Sequence, residues 1–152
     1  WSAVRAVTEA VQVPVVVNGD ITSPDEALAA LDLSSADAVM VGRGAQGKPW
    51  LPGQIGRFLQ NKSEEEQPQL KLQYGYVRDL YEAVGEHYGA RIGIRHARKL
   101  LGWALDAAAE TAGASPEILK RWRSAVLTTE DPATVRRSLA EAYDDFGWRA
   151  AA

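Results

Sequence analysis

Two glycine-bearing stretches and one run of cations carry the chemistry open to this chain. Asn18-Gly19-Asp20-Ile21 and Gly42-Arg43-Gly44-Ala45-Gln46-Gly47-Lys48 each follow a short apolar run. Glycine has no Cβ, so a backbone N–H beside it can approach a bound oxyanion closely. Arg43 adds a planar, forked cation whose geometry suits phosphate. The third stretch, Arg91-Ile92-Gly93-Ile94-Arg95-His96-Ala97-Arg98-Lys99, holds four cations and no acid. All three stretches point to holding anions. Cysteine is absent and His87 and His96 are the only histidines. That removes disulfides, thiolate metal sites and a cysteine nucleophile or acid, and argues against a histidine metal site or a Ser-His-Asp triad. The formal net charge of -3 speaks against a uniformly basic nucleic-acid binder, but not against a local basic face, since screening makes local charge decisive.

The elements that must position these residues follow two grammars. Up to about residue 60, helix and strand signals alternate. Val4, Val7 and Val11 stand at helical spacing, and Val13-Pro14-Val15-Val16-Val17 is a β-branched run apolar on both faces, the pattern of a buried parallel strand. Ser23, Pro24 and Glu26 form a capped helix start, with Ala27, Leu28, Ala30 and Leu31 as its apolar side. A second strand is expected at Ala38-Val39-Met40-Val41. About 25 residues separate the strands, enough for a helical crossover, so a βαβ unit is predicted. Both glycine turns then lie at strand C-termini, where (β/α)8 barrels commonly build a phosphate site. Either turn alone is more often an ordinary tight turn than a ligand loop; two on consecutive strands favour a ligand. Lys48-Pro49-Trp50 is read as a structural turn. Two buried parallel strands need neighbours on both sides, so the chain reads as the end of a larger sheet.

Residues 61 to 69 are polar, acidic and contain a proline, a linker or surface loop. Beyond them the strand signals stop. Helices are predicted over 70–87, 91–111, 116–127 and 132–146, with Ser115-Pro116 and Asp131-Pro132 as cap-plus-proline starts. Four helices with short connections predict a small antiparallel bundle. The expected architecture is an α/β segment over 1–60, followed by an all-α four-helix bundle over 61–152. No apolar run approaches the roughly 20 residues that span a bilayer, and no signal-peptide pattern opens the chain. A cytoplasmic protein without a membrane partner is expected.

The segments Val13-Pro14-Val15-Val16-Val17-Asn18-Gly19-Asp20-Ile21 and Ala36-Asp37-Ala38-Val39-Met40-Val41-Gly42-Arg43-Gly44-Ala45-Gln46-Gly47-Lys48-Pro49-Trp50 resemble the end of the barrel in tRNA-dihydrouridine synthases, above all the bacterial B-type branch. The resemblance covers nearly the whole chain, most closely up to Trp50. It implies the last βα units of a TIM barrel, with Asn18, Gly19, Asp20, Gly42 and Arg43 in the phosphate and ribityl site of FMN. It also implies reduction of a tRNA uridine to dihydrouridine, with NADPH reducing the flavin and a cysteine acting as acid. This chain holds no cysteine, and in the family that residue lies on earlier barrel strands. No catalytic residue and no metal ligand is therefore assigned, and chemistry by this chain alone is not expected.

At 100° per residue, Arg91, Arg95, Arg98 and Lys99 fall on one arc roughly 100° wide. Ile94, Ala97, Leu100, Leu101, Ala104 and Leu105 take the opposite side, with His96 and Trp103 on the rim. A solvated basic face is the bland reading. The family resemblance implies a tRNA grip, since similar enzymes carry Arg-x-Ala-Arg-Lys-x-x-x-Trp here, matched by Arg95, Ala97, Arg98, Lys99 and Trp103. Leu100 and Ala104 depart from it, standing where histidine and tyrosine are common. Lys120, Arg121 and Arg123 form a second cluster around Trp122, read as a core residue; Trp148 is also read as packing, and the acidic last helix is not read as an RNA surface. Two other readings stay open: a free-standing helical RNA-binding module, and a phosphate-binding barrel acting on a small metabolite. Exposed strand edges would also allow a homodimer.

Overall fold

The computed structural model describes residues 1–63 and 65–147; Trp148 lies outside them. The chain divides into two compact units, one ending at Glu66 and the other beginning at Gln67. The division falls inside the polar stretch 61–69.

In the first unit a 3-10 turn at Ser2–Val4 leads into helix α1 (Arg5–Ala10), strand β1 (Val16–Val17), helix α2 (Pro24–Ser34) and strand β2 (Ala38–Val39). A second 3-10 turn, Arg43–Ala45, and helix α3 (Leu51–Asn61) complete it. β1 and β2 pair in parallel, Val16 opposite Ala38 and Val17 opposite Val39, so α2 is the crossover of a βαβ unit. The strands are shorter than the apolar runs that announce them. Pro14 has no N–H to donate, and the Val15 N–H goes to the Asp37 carboxylate at 2.8 Å. Outside the two paired residues, single bonds such as Met40 N–H to the Val17 carbonyl at 2.9 Å continue the alignment.

The expectation that β1 is buried on both faces needs correcting. Val17 is buried, whereas Val13 and Val16 are 66% and 55% exposed. Successive strand residues point to opposite faces. Val17 turns toward the core with Ile21, Ala27, Ala30, Leu51 and Ile55, and Val16 turns away from it. Val7 and Val11 are likewise exposed, against the apolar face expected of the first helix.

Helix α2 starts as its residues dictate. The Ser23 hydroxyl accepts from the Glu26 N–H at 3.1 Å, and Pro24 takes the first turn. The Glu26 carboxylate reaches one residue further back than a capping box requires, accepting from the Thr22 N–H at 2.7 Å and the Thr22 hydroxyl at 2.6 Å. At the other end Arg5 donates to the Asp32 and Leu33 carbonyls, satisfying acceptors that a helix C-terminus leaves open. Helix α3 lies outside the elements expected from the sequence. Its signal was the spacing of Leu51, Ile55 and Phe58, all buried.

The second unit holds α4 (Leu70–Tyr88), α5 (Ala90–Ala112), α6 (Pro116–Thr128) and α7 (Pro132–Asp145). Gly89 and Gly113, at φ +76 and +62, end α4 and α5, a conformation that strains residues with a Cβ. Ser115 caps α6 through the Ile118 N–H; Asp131 caps α7 through the N–H groups of Ala133 and Thr134. Ile94, Ala97, Leu101, Leu105 and Ala108 recur on one side of α5 and join Val77, Val135, Leu139 and Tyr143 in a single core. α4 and α5 approach closely: a Cβ on Gly93 would lie 3.0 Å from the Gly85 Cα and the Val84 carbonyl oxygen.

Candidate functional site

At the tips of β1 and β2 the two glycine turns meet. Arg43 donates to the Asp20 carboxylate, an ion pair whose side chains are 78% and 74% exposed. Asp20 holds φ +49, and Gly19 before it φ +143. The Gly19 carbonyl accepts from the Trp1 indole N–H at 2.8 Å, which anchors the first turn. The tightest contact between the turns is at Gly44, where a Cβ would stand 2.2 Å from the Ile21 carbonyl oxygen. No side chain could be placed there. Gly44 lies in the turn expected to hold an anion, yet its lack of a Cβ serves the packing of turn on turn. Gly42 meets nothing within 4 Å and faces open space.

Asn18, Gly19, Asp20, Gly42 and Arg43 are thus all exposed at one end of the parallel pair. Their roles differ. Asn18 Nδ2 donates to the Met40 sulfur at 3.3 Å, tying the first turn to the end of β2. The Ala45 N–H is taken by the Gly42 carbonyl at 3.1 Å, while the Arg43 and Gly44 amides, at the start of the 3-10 turn, have no acceptor among the described residues. Two free amides and the unused donors of a guanidinium suit an oxyanion. An ionised carboxylate only accepts hydrogen bonds, so Asp20 fits a hydroxyl or orients Arg43.

On α5 the four cations separate. Arg91 and Arg95 are exposed, without an ion-pair partner among the described residues. They line, with Ile94 and Glu130, an open pocket of about 330 Å³. Arg98 is half-buried, with Nη2 3.7 Å from Glu130 Oε1, and its Nε is buried without an acceptor. Lys99 Nζ lies 5.0 Å from the centre of the Trp103 ring. The ridge that sequence presents as four equivalent charges is therefore two free arginines, one lysine over an indole and one arginine beside an acid. Glu130 precedes α7 and is 32 residues from Arg98, so no local pattern pointed to it. Of the two departures from the family pattern, Ala104 is buried in the core and Leu100 half-buried.

The second basic cluster is largely internally neutralised. Arg121 donates to Asp145 at 2.5 Å, and the Trp122 indole N–H donates to the same carboxylate at 2.8 Å. Arg123 donates to Asp106 at 2.6 Å and to the Gly102 carbonyl at 2.9 Å. Trp122 packs against the core. At the turn between α4 and α5, Tyr88 stacks on His96 with centroids 4.4 Å apart and planes at 25°; the pairing joins two helices and has no local sequence signal.

Fold and site define a class: an α/β unit with cationic and amide donors at adjacent strand ends, followed by a helical unit with a cationic helix face. Among the described residues no helix is long and apolar enough to cross a membrane, and no cluster of His, Asp and Glu could hold a metal. Over residues 1–143 the sequence matches the family of dihydrouridine synthases, and the chain belongs to that family. It is 40% identical over 143 residues to a probable tRNA-dihydrouridine synthase of Rickettsia conorii, covering 94% of this chain and 41% of that protein. A probable tRNA-dihydrouridine synthase of Rhodobacter capsulatus is 41% identical over 145 residues, with 95% and 42% covered. The tRNA-dihydrouridine synthase B of Vibrio parahaemolyticus is 41% identical over 109 residues, 69% of this chain and 33% of that one. The chain thus spans about two fifths of the length of the first of these relatives.

Proposed function

We propose that this chain supplies the cofactor-phosphate end and the RNA grip of an enzyme that reduces a uridine of tRNA to 5,6-dihydrouridine, using FMN and NADPH. The observation that carries this reading is the meeting of the two strand tips, where Arg43, paired with Asp20, stands beside two amides without acceptors. That donor set fits an FMN phosphate. Arg43 and the amides of Arg43 and Gly44 would hold the phosphate, and Asp20 would orient the guanidinium and accept from a ribityl hydroxyl. Asn18 and Gly19 shape the first turn, and Gly42 leaves the approach open. The exposed apolar residues Val13, Val16 and Met40 support reading the first unit as the last βα units of a TIM barrel, whose other strands would cover them. The four helices form a bundle that grips tRNA through Arg91, Arg95 and Lys99, with Arg98 held beside Glu130. FMN, when bound, supplies the hydride for the uracil ring. This chain has no cysteine, so it is assigned binding and not proton donation, and no activity of its own.

Deletion of the gene is expected to remove dihydrouridine from one position of cellular tRNA, read by mass spectrometry of tRNA digests. Arg43→Ala is expected to lower FMN affinity at least about tenfold, because a charge-assisted hydrogen bond contributes about 1.5–3 kcal/mol. Unchanged dihydrouridine in the deletion strain would refute the proposed reaction. A free-standing RNA-binding module is the second reading, favoured by the self-contained core of the helical unit; it predicts RNA binding with dihydrouridine content unaffected.

A further inference from the structure

The exposed side of α5 carries two neighbouring stripes. Arg91, Arg95 and Arg98 form the cationic one. At 100° per residue Ile92, His96 and Trp103 fall within roughly 40° of one another, directly beside it, with Lys99 on the seam. Ile92 is 54% exposed and His96 is exposed. From the end of α4, Tyr88, 47% exposed, lays its ring on His96, and the His87 and Tyr88 rings stand perpendicular with centroids 4.5 Å apart. None of these rings belongs to the core of the helical unit. A solvent-facing aromatic pair contributes about 0.5–1.5 kcal/mol to folding and leaves ring surface accessible to a ligand. A flat π-surface next to unpaired guanidinium groups matches the chemistry of unpaired nucleotides, whose bases stack on rings while their phosphates meet cations. Double-stranded RNA keeps its bases stacked inside the helix and cannot use such a platform.

Resting on the proposed RNA grip, we infer that Tyr88 and His96 form a stacking platform for an unpaired nucleobase, with Arg91 and Arg95 taking the flanking phosphates. The second unit thereby selects a single-stranded or splayed stretch of RNA over a regular duplex. The ring of Tyr88 is the part that matters, not its hydroxyl or its apolar area.

The test uses the full chain, with a short single-stranded oligoribonucleotide and a blunt RNA duplex of equal length as probes, followed by fluorescence anisotropy. Tyr88→Ala and Tyr88→Leu should each weaken single-strand binding about 5-fold to 150-fold, the range for loss of one base–aromatic stack. Tyr88→Phe should bind as the parent does, and none of the three should change duplex affinity. Thermal melts establish that the variants fold. Single-strand binding by Tyr88→Leu equal to that of the parent overturns the platform, as does an equal loss on both probes. If Arg91→Ala with Arg95→Ala weakens both probes while the Tyr88 series is flat, the platform falls and the RNA grip stands. If the parent binds neither probe, both fall.

Discussion

The cationic face of α5 makes a prediction that can be worked to a number. Each cation that neutralises a phosphate releases condensed counterion, so log K falls against log[salt] by about 0.7 per contact on an unpaired strand. Four cations were visible in the sequence, but Arg98 is occupied by Glu130. Arg91, Arg95 and Lys99 remain for phosphate. Three contacts predict a slope of about -2.1, so that affinity for tRNA falls about 18-fold between 50 and 200 mM salt. Removing Arg91 and Arg95 together leaves one contact, a slope of about -0.7 and a fall of only about 2.6-fold over the same range. Glu130→Gln should act in the opposite direction. It withdraws the acid beside Arg98 and the negative charge in the Arg91–Arg95 pocket. A fourth contact becomes available, with a slope of about -2.8 and a fall of about 50-fold. Binding at low salt should tighten in Glu130→Gln and weaken in the double alanine variant. The assay is equilibrium binding of labelled tRNA at five or six salt concentrations. A double variant whose slope equals that of the parent would show that these arginines do not touch phosphate. A Glu130→Gln slope equal to the parent's would show that Arg98 is not held in reserve.

Other consequences concern folding. Gly93→Ala puts a Cβ 3.0 Å from backbone atoms of α4 and should destabilise the helical unit by about 1–3 kcal/mol. Gly102→Ala meets only side chains, at 3.5 Å, and should be neutral or slightly stabilising, since alanine favours helix by up to about 1 kcal/mol; thermal unfolding followed at 222 nm separates the two. Gly44→Ala, facing the Ile21 carbonyl, should loosen the first unit, read as faster amide exchange at Thr22 and Met40, with the helical unit unaffected. Acid should weaken the helical unit through Asp131 and Glu82, whose pKa values are lowered by hydrogen bonds from Thr134 and Arg136. A lowered folded-state pKa means the stabilisation is complete above the ordinary carboxylate range and is lost as pH falls through the lowered values. Thermal midpoints between pH 7 and 2 should therefore drop below about pH 4, and Asp131→Asn should flatten that drop.

The sequence determined what depends on near neighbours. Helix starts at Ser23, Ser115 and Asp131 were legible because a cap and the amide it satisfies are two or three residues apart. The apolar side of α5 was legible because a helix repeats every 3.6 residues. The motif flanking the two strands sufficed to mark the family. Tertiary structure decided what joins residues far apart. Only folding sets Gly44 against the Ile21 carbonyl, 23 residues away, and gives that glycine a packing role. Only folding brings Glu130 to Arg98, Asp145 to Arg121 and Trp122, and Asp106 to Arg123, turning two apparently similar basic clusters into one open ridge and one neutralised surface. Charge along a chain adds by composition, whereas the field at a site depends on distance in space. No periodicity in the sequence encodes which acid a cation will meet.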